Sequence, residues 1–236
     1  YFQTVKGGGH GDYRLIALAP ASVQEMADFV GLAFDLAFKY RNPAIILADG
    51  VIGQMMEKVV LPEQRPRLTN EEVMARCPWA TFGKLKHRGP NIVTSLELDP
   101  AEMEKRNIHL QQKYAEIEEK EVRYEEIHCD DAEYLIVAFG SCARIAQKAM
   151  EEARAEGIKV GLLRPITLWP FPSKAIAERS RQVKGILTVE LNAGQMVEDV
   201  RLAVECKVPV EYFGRLGGIV PDPDEVVTAL KEKIIK

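Results

Sequence analysis

Residues 6–56, KGGGHGDYRLIALAPASVQEMADFVGLAFDLAFKYRNPAIILADGVIGQMM, carry the pattern that decides the fold. A glycine-rich loop, Gly7-Gly8-Gly9-His10-Gly11-Asp12, runs into an apolar stretch at 15–19. A helical pattern follows, opened by Pro20 and Ser22, and a second apolar stretch at 44–48 stops at Asp49-Gly50. Along the helix Val23, Met26, Ala27, Val30, Ala33, Phe34 and Ala37 recur at three- and four-residue spacing, which predicts one apolar face. Ser22 reads as the N-cap, and Glu25 places negative charge in the first turn, where the helix dipole favours it. Lys39 and Arg41 stand at the other end and Asn42-Pro43 stop the helix. Strand, helix and strand with short joints make a βαβ crossover, so the two strands are expected to be parallel neighbours.

The same alternation returns from about residue 131. Apolar runs at 134–139, 160–163, 186–190 and 208–213 are separated by helical patterns at 143–155, after an expected N-cap at Ser173, at 196–205 and at 225–235. Near-continuous apolar strands belong to a sheet buried on both faces, so this part reads as a parallel α/β domain. Its strands end at Gly140-Ser141, Arg164, Glu190 to Gln195 and Gly214, and ligands or partner chains meet such sheets at those carboxyl ends. By itself the segment 1–61 supplies only two clear strands, too few for a doubly wound domain. It reads as the second half of a domain whose first half is absent, with Tyr1-Phe2-Gln3 as native sequence leading into the glycine loop.

Between the two lies a connecting region, residues 62–130. Pro62, Pro66, Pro78 and Pro90 with Gly83 and Gly89 make its first part irregular, and Arg65, Arg67, Lys84, Lys86, His87 and Arg88 make it basic. That basic cluster reads as a solvated loop, with contact to an anionic ligand as the alternative; Trp79 and Phe82 read as packing anchors. From Asp99-Pro100 a long polar helix is expected to about residue 127. Met103, Ile108, Leu110, Tyr114, Ile117 and Val122 give it only a thin apolar stripe, the mark of a helix that bridges domains or lies along a partner.

Composition removes several function classes. The chain has 236 residues, is 47% hydrophobic and carries a net charge of −4, a globular composition with no basic excess for nucleic acid or an anionic membrane. No apolar run approaches the roughly 20 residues that span a bilayer, and no signal-peptide pattern opens the chain. Cys77, Cys129, Cys142 and Cys206 are widely spaced with no CxxC pair, so neither a zinc nor an iron–sulfur ligand set is encoded. They read as free, structural thiols in a reducing, cytoplasmic compartment.

No complete catalytic set emerges from the residues. The glycine loop precedes a strand, so it is neither a dinucleotide-binding GxGxxG nor a P-loop. Glycine does allow backbone to approach a ligand closely, and His10 is the one histidine in a setting suited to chemistry; the competing reading is a solvated surface connection. Ser141 reads as a helix cap, with an anion seat as the alternative. Arg164 reads either as a partner for a carboxylate of another chain or as a solvated strand end, and Glu190 as a buried group in a charge pair.

Taken together, GGGHGDYRLIALAPASVQEM, LAFDLAFKYRNPAIILADGVIGQMME, VAFGSCARIAQKAMEEARAEGIKVGLLRPITLWPFPSKAI and ELNAGQMVEDVR resemble the α subunit of 2-oxoacid:ferredoxin oxidoreductases. The similarity is greatest to the branched-chain, 2-oxoisovalerate type and extends over essentially the whole chain, including LPEQRPR, PWAT and EEKEVRYEE.

The resemblance implies the C-terminal half of a thiamine-pyrimidine-binding α/β domain at 1–61 and a transketolase-C-terminal-like domain at 131–236. It implies oxidative decarboxylation of a branched-chain 2-oxoacid on thiamine diphosphate, with coenzyme A taking the acyl group and ferredoxin the electrons. Magnesium, the diphosphate-binding β domain and the iron–sulfur clusters are then expected on other subunits (β, γ and a ferredoxin-like δ). By analogy with transketolase, Gly8, Gly9, His10, Gly11 and Asp12 are expected near the thiazolium, with His10 the candidate catalytic group. The glutamate that activates the aminopyrimidine belongs to the half-domain not seen here, so this polypeptide alone is expected to be inactive. Two other readings stand beside this one: a β-type subunit of a 2-oxoacid dehydrogenase or another transketolase-like enzyme, and a non-catalytic α/β scaffold.

Overall fold

The computed structural model describes residues 1–81, 86 and 88–235. Phe82, Gly83, Lys84 and His87 of the basic connecting stretch lie outside the described residues.

The first lobe opens with a short helix, α1 (Phe2–Val5), and a 3-10 turn at Gly7–Gly9. Strand β1 (Ile16–Leu18), helix α2 (Val23–Tyr40) and strand β2 (Ala44–Ile46) form the expected crossover, with β1 and β2 parallel and Ile16, Ala17 and Leu18 opposite Ala44, Ile45 and Ile46. Ser22 caps α2, its side chain accepting from the Glu25 amide, and Arg41 closes it in the left-handed conformation. The buried face differs from the expected one. Phe29, Leu36 and Tyr40 face the sheet, whereas Val30 and Phe34 are 48% and 62% exposed. At 100° per residue the packed face is rotated by roughly a quarter turn from the predicted one. This helix is apolar on more than one side, so periodicity alone leaves its rotation open.

After α3 (Gly50–Gln54) comes an extended stretch that is not wholly irregular, because Asn70–Arg76 form a helix, α4. Thr69 and Glu72 make a reciprocal capping box there, Thr69 N donating to Glu72 Oε2 at 2.8 Å and Glu72 N to Thr69 Oγ1 at 3.2 Å. Arg65 forks onto Asp35 of α2 at 2.5 and 2.8 Å, so that member of the basic cluster serves an internal ion pair. Trp79 anchors as expected, stacking against Phe38 at 5.9 Å and lying under Arg41.

Helix α5 (Pro100–Lys120) starts on an Asp99 cap but ends earlier than predicted. Residues Tyr124–Ile127 instead form strand β3, antiparallel to β5 (Val160–Pro165). The break falls at Glu121, whose buried carboxylate accepts from Lys39 Nζ and Tyr40 Oη, both at 2.6 Å, and from Arg123 Nη1 at 2.9 Å. Burial acts to raise the Glu121 pKa, but these three donors outweigh it and hold the group at about 2. Only the C-terminal half of α5 is packed: Tyr114 and Ile117 are buried in the first core and Ile108 is exposed.

The second lobe contains β4 (Tyr134–Ala138), α6 (Gly140–Ala155), β5, β6 (Thr167–Trp169), α7 (Ser173–Arg179), β7 (Ile186–Glu190), α8 (Met196–Val204), β8 (Val210–Gly214) and α9 (Pro223–Leu230). Its sheet has the order β3-β5-β4-β7-β8, and all pairings except β3–β5 are parallel. Side chains alternate across it: Ile136 and Ala138 join the core under α6 and α9, and Leu135 and Val137 join the one under α7 and α8. Neither Ser141 nor Ser173 is an N-cap. Helix α6 starts one residue before Ser141 and α7 starts at Ser173 itself, with Phe139 and Pro172 in the cap positions.

Two features tie the lobes together that the sequence did not reveal. Strand β6 leaves the second lobe and pairs antiparallel with β1, making the first sheet β2-β1-β6. Arg164, expected at a partner chain or in solvent, is buried and forks onto Glu25 of α2 at 2.8 and 2.7 Å. Its Nε also lies 3.0 Å from Glu125, an ion contact without hydrogen-bond alignment. Burial acts to lower the arginine pKa, but the carboxylates more than offset it and the guanidinium is held firmly charged.

Candidate functional site

In the five-stranded sheet the connection from β4 runs to β5 on one side, and the chain then crosses back to β7 on the other. The order therefore reverses between β4 and β7, and at their carboxyl ends the departing loops separate and leave a crevice. That crevice is a cavity of about 240 Å³, walled by Phe139, Cys142 and Glu190 of the second lobe and by Tyr1, Leu47 and Asp49 of the first. It is an inter-lobe cleft at the place where folds of this kind bind ligands.

Two carboxylates organise it. Asp49 follows β2 and caps α3, its Oδ1 accepting from the Val51 and Ile52 amides at 3.0 Å each. The other oxygen, Oδ2, accepts from the Ser141 amide in the first turn of α6 at 2.9 Å. One side chain thus satisfies orphan amides on two helices, one from each lobe. Close approach is possible because residue 140 is glycine: its φ is +61°, and a Cβ there would stand 3.0 Å from Asp49 Oδ2. Glu190 does the same for α8 from within its own lobe. It accepts from Asn192 Nδ2 at 3.1 Å and from the amides of Gln195, Met196 and Val197 at 3.2, 2.8 and 2.9 Å. The charge pair expected for Glu190 is replaced by backbone amides, which sequence shows only as a helix beginning six residues later.

The remaining polar groups fasten α1 to the cleft. Tyr1 Oη donates to Asp199 Oδ2 at 2.6 Å, Lys6 pairs with the other oxygen of Asp199, and the Phe2 amide donates to Gln195 Oε1 at 3.1 Å. Burial, reinforced by Asp199, pushes the Tyr1 phenol well above its ordinary pKa, so it serves as a donor. Cys142 is buried against the cleft, and burial with the nearby Asp49 and Glu190 carboxylates pushes its thiol up to about 12. Such a thiol is a packing group and not a nucleophile. Cys77 and Cys129 are also buried, and Cys206 is exposed.

The glycine loop lies elsewhere. Gly7, Gly8 and Gly9 have φ values of +62°, +60° and +75°, and a Cβ at Gly8 would collide with the Tyr13 hydroxyl. Glycine is therefore demanded by the backbone at Gly7, Gly8 and Gly9, whereas Gly11 borders open space. His10, Gly11 and Asp12 are exposed, and the Asp12 carbonyl accepts from Gln111 of α5 at 3.1 Å. Gln195 falls in the strand-end segment expected to meet ligands, whereas Asp49, Tyr1 and Asp199 carry no role in the sequence reading; the one available signal was an aspartate ending a strand ahead of a short helical turn.

Thiamine diphosphate, the cofactor that the sequence resemblance implies, would meet acidic walls in this cleft. Those walls, Asp49 and Glu190, are already engaged by amides, and among the described residues no group of three or more His, Cys, Asp or Glu could hold a metal ion. The diphosphate–metal end of that cofactor does not fit these residues. No helix is long and apolar enough to cross a membrane among the described residues.

Comparison with known proteins places this geometry. Residues 3–127 match the family described as "pyruvate flavodoxin/ferredoxin oxidoreductase, thiamine diP-bdg", and residues 132–226 match "pyruvate:ferredoxin oxidoreductase core domain II". The chain belongs to the pyruvate flavodoxin/ferredoxin oxidoreductase family. It is 49% identical over 232 residues to the ketoisovalerate oxidoreductase subunit VorB of Methanothermobacter thermautotrophicus, covering 98% of this chain and 64% of that protein. It is 32% identical over 243 residues to the 2-oxoglutarate synthase subunit KorA of Methanothermobacter marburgensis, covering 94% and 65%. The chain thus spans a little under two thirds of the length of these relatives. The fold is shared with a 2-oxoglutarate:ferredoxin oxidoreductase from Magnetococcus marinus, at a TM-score of 0.75 and 23% identity over 98% of this chain and 44% of that one.

Proposed function

We propose that this chain serves as the α-type subunit of a thiamine diphosphate-dependent 2-oxoacid:ferredoxin oxidoreductase whose substrate is a branched-chain 2-oxoacid such as 2-ketoisovalerate. The overall reaction joins the 2-oxoacid and coenzyme A, releases carbon dioxide and a proton, and gives acyl-CoA with one electron to each of two ferredoxin clusters. The observation that carries this reading is the gradient of identity: 49% to the ketoisovalerate subunit against 32% to a 2-oxoglutarate subunit of the same genus. Thiamine diphosphate supplies an electron sink for decarboxylation. Because the described residues do not fit its diphosphate end, that end is assigned to another subunit, along with magnesium and the iron–sulfur clusters. The role of this chain is to build one wall of a shared site, with Gly8, Gly9, His10, Gly11 and Asp12 as the segment presented to it. Support for that segment is its exposure together with a backbone fixed by left-handed glycines. A cytoplasmic setting is supported by its unpaired cysteines.

The test is the complex reconstituted with its other subunits and assayed by viologen reduction with coenzyme A. 2-Ketoisovalerate is expected to exceed 2-oxoglutarate in kcat/KM by about tenfold or more. Equal rates, or activity only with lipoamide, overturn the assignment. His10→Ala should lower turnover of the complex without changing its melting temperature; unchanged turnover removes His10 from the site.

A further inference from the structure

The Asp49 carboxylate is the only cleft-wall side chain whose hydrogen bonds, among the described residues, reach helix amides on both lobes: α3 through Val51 and Ile52, α6 through Ser141. We propose that Asp49 is a positioning residue, a latch that holds the heads of α3 and α6 together and so keeps the inter-lobe cleft closed over Cys142.

Three observations carry this. The two oxygens divide their work between lobes, so the inter-lobe half is separable from the α3 cap. The α6 head has no cap of its own, since Phe139 occupies that position without a side-chain bond and Ser141 Oγ, though buried, finds no partner among the described residues. An aspartate delivered from the other lobe therefore supplies the negative charge that this helix end favours. Finally, Gly140 leaves Asp49 the space to arrive, in a backbone conformation that residues with a Cβ rarely adopt. The β1–β6 ladder, the Arg164–Glu25 fork and the Tyr1 and Lys6 contacts to Asp199 join the lobes elsewhere, so the latch governs the local joint between α3 and α6. Near that joint the other polar tie is Arg144–Glu57, a pair at 2.5 Å whose arginine side chain is 43% exposed and therefore weak. Cys142, at 3% exposure, sits in α6 one residue beyond the latch point, so its accessibility reports on the joint.

The chemistry suggests a selective lesion. In Asp49→Asn the amide oxygen still accepts from Val51 and Ile52, but an NH2 group faces the Ser141 N–H, donor against donor. In Asp49→Ser the hydroxyl retains an α3 cap and is too short to bridge.

The experiment uses the full-length subunit in its complex, with timed iodoacetamide labelling and quantification of each cysteine peptide by mass spectrometry. Cys129 serves as the internal control, because it is equally buried, at 3%, but lies in the second-lobe core away from the cleft. Both variants are expected to raise the Cys142 labelling rate about tenfold, the effect of losing one charge-assisted hydrogen bond, with Cys129 unchanged. Labelling of Cys142 at the wild-type rate in both variants overturns the latch. Parallel increases at Cys142 and Cys129 overturn it too, by showing that Asp49 acts on stability in general. None of these readings depends on which 2-oxoacid the complex consumes, so failure here is distinguishable from failure of the functional assignment.

Discussion

The two lobes solve the same packing problem to different degrees. In the second, β4, β5 and β7 are almost wholly buried, with α6 and α9 closing one face and α7 and α8 the other. In the first, β1 is buried but β2 is only partly so, and α2 turns Val30, Phe34 and Phe38 outward at 48%, 62% and 54% exposure. More apolar residues stand exposed on the extended stretches that flank α4, among them Met56, Leu61, Ile92 and Leu98. Apolar surface on that scale marks a contact face. The second lobe closes both faces of its own sheet; the first leaves apolar surface open. This difference also explains why the mutual ties matter, since the first lobe borrows a strand and two buried polar contacts from the second.

Measurements can break that contrast, and the largest effect should come from the closed lobe. Ile136→Ala removes a side chain 1% exposed in the second core and should cost about 2–5 kcal/mol in chemical denaturation. A loss below about 1 kcal/mol would mean that this lobe is far looser than its packing indicates. Next in size is the inter-lobe pair: Arg164→Met strands Glu25 and should cost about 2–3 kcal/mol, less than a fully buried pair because Glu25 remains partly exposed. That loss should appear as a split of one unfolding transition into two, followed by calorimetry.

A pH series sharpens the comparison further. Glu121 has its folded pKa depressed to about 2 from the ordinary 4.5, so its stabilisation is present above about pH 4.5 and is lost as pH falls toward 2. Wild type should exceed Glu121→Gln in stability at pH 6, and the gap should narrow steadily below pH 4.5. A gap independent of pH would assign the effect to shape and not to charge. The smallest effect belongs to the open lobe. Phe34→Ser should change the stability of this polypeptide by no more than about 0.5 kcal/mol, measured by thermal melt, because the ring is already in solvent.

Much of this architecture was legible in the sequence, and the misses share a cause. The βαβ unit and the four parallel strands follow from period and punctuation, which are local. The signal for helix α4 is also local, a capping box written in Thr69-Asn70-Glu71-Glu72, but the prolines on either side mask it. Strand β3 was hidden because residues 121–127 mix charged and apolar types without a helix stop signal. The rotation of α2, the pairing of β6 with β1, the Arg164–Glu25 fork and the Asp49–Ser141 bond depend on neighbours 90 or more residues away in some cases, 92 for the last and 139 for the fork. No window of sequence contains both partners, so side-chain type indicates only that such a group needs one.

Strand β6 has a practical corollary for anyone who divides this gene. The two family matches meet between residues 127 and 132, an inviting place to cut. Separating the halves there would strip β1 of one ladder and leave a bare edge able to recruit foreign strands. The same cut would strand Leu168 and Trp169, 1% and 6% exposed when joined, in water on the other product. Recombinant halves should therefore precipitate singly and recover only when co-expressed.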